Sequence, residues 1–165
     1  MPKMHEKARA MVDLFDRMGG TVSGSRMLVE TIDAMKIPFT LLHRKHPGSA
    51  LQFVHANPAF VAMCAFTSRE LRGRRPSMLQ GMETDVVAAR QFRDDVMRTG
   101  RGLTTLVNYR KDGSAYEVFV LGARLRFAED STDEQTLYLS CSFLVEEVTM
   151  APPGMLPGEG GETVH

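Results

Sequence analysis

Apolar positions near the start of the chain recur in steps of four and three. Met4, Ala8, Met11, Phe15 and Met18 form one seam, with Glu6, Lys7, Arg9, Asp13 and Asp16 mostly off it. This spacing predicts an amphipathic helix, which Gly19-Gly20 brings to an end. A helix of that length is marginal alone in water, so its stripe must pack on the same domain or on a second copy. A second helical run places Leu28, Val29, Ile32 and Met35 on one side and stops before Pro38. Phe39–Leu42 and Leu51–His55 then read as strands around a His46-Pro47-Gly48-Ser49 turn.

From Asn57 to Gly100 the pattern is helical. Asn57-Pro58 suits a helix start, with Phe60, Met63 and Cys64 as its apolar face. Thr67 and Glu70 stand at capping-box spacing. Pro76 interrupts. Thr84 or Asp85 opens a longer helix with Val86, Val87, Phe92, Val96 and Met97 as its predicted buried side, closed by Gly100. The remainder reads as β: Leu103–Arg110, a Lys111-Asp112-Gly113-Ser114 turn, Tyr116–Arg126, a polar loop at Glu129–Asp133, and Thr136–Val145. Two strands, short helices and three further strands predict an α+β domain, one antiparallel sheet covered on one face by helices. The divisions expected are 1–25 for the helical extension and linker, 26–149 for the domain, and 150–165 for a Pro- and Gly-rich disordered tail.

Composition narrows the function classes. Twenty basic and twenty acidic side chains cancel, so no overall field draws in nucleic acid or membrane. No apolar run reaches membrane-spanning length, and the charged N-terminus is unlike a signal peptide. Cys64 and Cys141 show no CxxC spacing, which points to buried structural thiols in a reduced, cytoplasmic protein rather than a disulfide framework or zinc site. His43, His46 and His55 read as strand and turn residues rather than metal or haem ligands, and Arg72, Arg74 and Arg75 as a solvated basic face near a pocket mouth. No phosphate loop, nucleophile elbow or spaced acid pair is present, so the expectation is a non-enzyme.

Three segments carry a family resemblance. Gly73-Arg74-Arg75-Pro76-Ser77-Met78-Leu79-Gln80-Gly81 followed by Glu83-Thr84-Asp85 resembles the GxNCRFLQGxETD signature of light-oxygen-voltage (LOV) domains, a branch of the PAS fold. Asn108-Tyr109-Arg110-Lys111-Asp112-Gly113 resembles that family's NYRKDG hairpin, and Asn57-Pro58-Ala59-Phe60 its NPAF helix start. The resemblance spans roughly Leu28 to Glu147 and implies a five-stranded PAS/LOV fold with flavin mononucleotide (FMN) between sheet and helices. It also implies a short signalling module that works through homodimerisation or a protein partner.

The family's photochemistry bonds a cysteine sulfur to the flavin, and the aligned residue here is Pro76, which has no nucleophile. By the same resemblance, Gln80 and Asn108 stand at flavin-contacting positions and Arg93 at one of two phosphate-gripping arginines, the other being Ser77. A second asparagine aligns with Val118, and the signal-relaying glutamine with Phe143, or with Ser142 or Leu144 if the last strand shifts by one. Leu137, Leu139, Cys141, Phe143 and Val145 share a strand face, and if Phe143 faces the helices it fills the ring's space. The favoured expectation is therefore no cofactor, and the alternative is FMN held by Gln80, Asn108 and Arg93 without an adduct. Phe119 and Leu121 fall on the outer sheet face, which with the N-terminal helix is the expected dimer surface.

Overall fold

The computed structural model describes residues 25–125 and 137–145. The helix expected at Met4–Met18, the loop at Glu129–Asp133 and the tail at 150–165 lie outside these residues. Helix α1 (Ser25–Asp33) leads into β1 (Phe39–His43) and β2 (Gln52–Ala56). Helices α2 (Pro58–Cys64) and α3 (Ser68–Leu71), a 3-10 turn (Pro76–Leu79) and α4 (Val86–Thr99) follow. The chain then forms β3 (Arg101–Tyr109), β4 (Ala115–Leu125) and β5 (Leu137–Leu144). The five strands make one antiparallel sheet in the order β2-β1-β5-β4-β3. The expected α+β architecture is the one observed.

Local chemistry accounts for the joints. Asn57 is fully buried and caps α2, its Oδ1 accepting from the Phe60 and Phe39 N–H groups at 3.0 and 2.8 Å. Its Nδ2 donates to the carbonyls of Ile32 and Ile37, both at 2.8 Å, so one side chain ties α1, β1 and α2 together. Thr67 and Glu70 form the capping box of α3. Asp85 caps α4 through the Val87 and Ala88 N–H groups, and Gly100 closes it in the left-handed region at φ 86°.

Two layers cover the sheet, where the sequence pattern suggested one. On the outer face, Leu28 and Ile32 of α1 pack with Phe39, Leu41, Phe119, Leu121, Leu139 and Cys141. Phe119 and Leu121 lie on this face as expected, yet both are buried. On the inner face α4 presses against β3 and β4. A Cβ on Gly102 or Gly122 would sit 2.8 Å from Val96 Cγ2, so these glycines set how closely the helix approaches. That contact selects the helix's buried side as Phe92, Val96, Met97, Ala88 and Ala89. The expected Val86 and Val87 are instead 59% and 75% exposed, because at 100° per residue Val87 falls on the far side of the helix from Phe92.

Candidate functional site

Between the inner sheet face, the 3-10 turn and α4 lies a cavity of about 700 Å³. Its floor consists of alternate residues on the strands: Thr40 and Leu42, Leu106 and Asn108, Val120 and Gly122, Ser140 and Ser142. Small and hydroxyl side chains on β5, together with Gly122, keep the space open. Leu79 and Gln80 line it from the 3-10 turn, and Ala89, Phe92 and Val96 from α4.

All three candidate residues line this one cavity. Gln80 caps the 3-10 turn, Asn108 is the penultimate residue of β3, and Arg93 projects from α4. The Arg93 guanidinium is held by Asp94 Oδ1 at 2.8 and 3.0 Å. Pro76 and Ser77 also line the cavity, and among the described residues no cysteine does. Cys64 and Cys141 are fully buried elsewhere; burial pushes the Cys64 thiol up and the Cys141 thiol up to about 12. Val118 is buried with Leu106 and Val120 in the inner core.

The placement expected of Phe143 is corrected. Phe143 pairs with Phe119 and packs in the outer cluster, on the opposite side of the sheet from the cavity. Ser142 and Ser140 face the cavity in its place. The registers Leu121↔Cys141 and Phe39↔Cys141 fix this assignment, since every second residue of β5 must share a side with Cys141.

The mouth is more basic than the sequence reading anticipated. Arg44, Arg75, Arg90 and Arg93 all border the cavity, and Asp94 is the sole acidic residue among its lining. The Arg75 and Arg90 guanidinium groups make no hydrogen bond or ion pair among the described residues. The spacing of Arg90 and Arg93 on one helix was a usable signal for the mouth. Arg44 had none, because it reaches the cavity from the end of β1.

The rest of the two motifs is structural. Gly81 lies under the Tyr109 ring, where a Cβ would come within 2.4 Å of Cε2. Thr84 Oγ1 accepts from the Gly81 N–H and donates to the Val107 carbonyl, and the Glu83 N–H donates to Tyr109 Oη. Arg110 donates to the Met63 carbonyl at 3.1 Å, and Lys111 pairs with Glu70 at 2.5 Å. These bonds clip the loop before α4 and the α2–α3 corner to the β3–β4 hairpin.

No family model matches the chain. The blue-light-activated histidine kinase 1 of Erythrobacter litoralis is 29% identical over 105 residues, 64% of this chain and 28% of that protein. Phototropin-2 of Oryza sativa subsp. japonica is 28% identical over 92 residues, 56% of this chain and 10% of that protein. The chain thus spans less than a third of the length of either. A light-oxygen-voltage domain solved in a study of a flavin analogue superposes with a TM-score of 0.63 at 28% identity, covering 74% of this chain and 87% of that one. The Aureochrome1 LOV domain in its light state gives 0.59 at 25% identity, covering 74% and 91%. The strand order and the helices over the sheet are those of the PAS fold. The relatives and solved neighbours support its placement in the LOV family, among sensory and signalling proteins. No helix among the described residues is long and apolar enough to cross a membrane.

Proposed function

We propose that the chain is a non-catalytic LOV-type signalling module that holds FMN without covalent attachment. The reading rests on one observation: a cavity of about 700 Å³ has two carboxamides inside it and four arginines at its mouth. This donor set fits a flat ring with a polar edge and an anionic tail. The volume falls in the usual range for cofactor sites. The opposing expectation, that no flavin is held, drew on partners lost at Ser77, Val118 and the relay position and on Phe143 filling the ring's space; of these grounds, the last is removed, since Phe143 lies on the other face.

In this reading Gln80 and Asn108 supply amide donors and acceptors to the ring's polar edge, with Ser140, Ser142 and Thr40 on the floor. Arg93, Arg90 and Arg75 grip the phosphate as charge-assisted donors. Flavin, when bound, absorbs blue light and takes up electrons. With Pro76 at the reactive position, the protein offers no thiol to bond the ring. The test is the visible absorption spectrum of protein reconstituted with excess FMN, before and after blue light. A structured band at roughly 450 nm is expected from the cofactor class, with no thiol adduct after illumination. Protein that stays colourless overturns the reading, as does an adduct.

We further propose that output passes through the outer face as a homodimer. Leu103, opposite Leu121 on β3, is 62% exposed and extends the apolar surface beyond α1. A dimer in solution that Leu103→Lys dissociates is expected; a monomeric parent protein refutes it.

A further inference from the structure

The β3–β4 hairpin holds an unpaired polar group close to the cavity. Tyr116 is 3% exposed, and its hydroxyl is the one fully buried side-chain oxygen or nitrogen among the described residues that lacks a hydrogen-bond partner. Such a group costs about 1–3 kcal/mol unless something satisfies it. Its ring cannot swing away to find water. The Arg110 guanidinium sits 4.6 Å from the ring centroid, and Arg110 is itself anchored to the Met63 carbonyl. Directly across the ladder, Tyr116 faces Asn108, the residue that brings an amide into the cavity.

Asn108 makes no side-chain hydrogen bond among the described residues either. Its amide N–H faces the Tyr116 phenol oxygen closely enough to oppose the burial that pushes the phenol up, without meeting strict hydrogen-bond geometry. Cys64, also near the phenol, is a weak acceptor whose Sγ is already directed at the Val61 and Phe66 carbonyls, each 3.9 Å away. The terminal torsion of Asn108 is soft and roughly two-fold, so its amide can adjust toward the phenol.

We infer that Tyr116 is a positioning residue: its hydroxyl oxygen accepts from Asn108 Nδ2 and fixes the amide with Oδ1 turned into the cavity. This rests on the flavin reading and deepens it, because a locked amide presents a carbonyl acceptor. The site then selects a ring whose edge offers an N–H donor opposite Asn108, over one that offers only an acceptor there. With phenylalanine at 116 the amide is free to flip and the selection is lost.

The experiment compares the parent protein, Tyr116→Phe, Asn108→Ala and the double variant. FMN titrations are read by fluorescence quenching, and the Asn108 side-chain amide by nitrogen-15 NMR without ligand. Tyr116→Phe is expected to keep the melting temperature and weaken FMN about tenfold, the size of one hydrogen bond. In the Asn108→Ala background it should have no further effect. In ligand-free protein the Asn108 amide signals should shift on losing the hydroxyl. Additive losses in the double variant, or amide signals unmoved by Tyr116→Phe, overturn the proposal. If the parent protein binds no FMN, the flavin reading fails while the ligand-free NMR comparison still decides whether Tyr116 holds Asn108.

Discussion

The two faces of the sheet are made from the same strands and differ in nearly everything else. On the outer face, residues such as Phe39, Leu41, Leu139 and Cys141 close completely against one another and α1. One residue along, the inner face carries Thr40, Ser140, Ser142 and Asn108 around a cavity. A strand's period of two lets one segment serve both needs. The outer face supplies apolar burial, which stabilises the fold. The inner face forgoes part of that burial and leaves open space lined by polar groups. Core packing and cavity lining are separated by a single residue step.

That contrast can be broken most severely from the dry side. Phe39→Ala, which empties a site 1% exposed, should cost about 4 kcal/mol in a urea melt. A loss below about 1 kcal/mol would show that the outer face is not the stabilising layer. Next, Gly122→Ala puts a methyl 2.8 Å from Val96 Cγ2 and 2.9 Å from Phe92 Cζ, and should cost about 2 kcal/mol by overpacking. It should also push α4 away from the cavity floor, weakening FMN.

The comparison is sharpened by placing one polar residue on either face. Phe143→Gln buries an amide against the outer cluster and should destabilise by about 2 kcal/mol. Ser142→Gln points into open space and should stay within about 1 kcal/mol of the parent. Equal costs, or the reverse order, would contradict the face assignment of β5.

The smallest effect concerns a surface clip. The Lys111 ammonium, followed by the Thr67 N–H, holds the Glu70 carboxyl down to about 2 from 4.5. A carboxyl lowered on folding stabilises above its ordinary value near 4.5, and that contribution is lost as pH falls through about 2. Lys111→Gln should therefore raise the Glu70 midpoint in an NMR titration and flatten the acid side of the stability profile slightly, since the pair is solvent-exposed. An unchanged midpoint would remove the clip from the account.

What the sequence determined by itself was whatever depends on near neighbours. The Asn57 cap, the Thr67–Glu70 box, the Asp85 start and Gly100 stop of α4, and the turn at Gly113 all follow from a few adjacent residues. The motifs also brought Gln80, Asn108 and Arg93 together as candidates, and the fold places all three on one cavity. Alternation along β5 was equally plain: Leu139, Cys141 and Phe143 on one side, Ser140 and Ser142 on the other. Which side met the cavity was not. Apolar residues suit a dry core and a ligand pocket's walls alike, so the pattern is symmetric to that choice. Pairing of Cys141 with Phe39 and Leu121, and the docking of α1 over that face, broke the symmetry. In the same way the buried side of α4 was settled by two glycines on other elements, and the arginine mouth by three segments distant in sequence. Local bonding is written in neighbouring residues, whereas the identity of a face is a property of what packs against it.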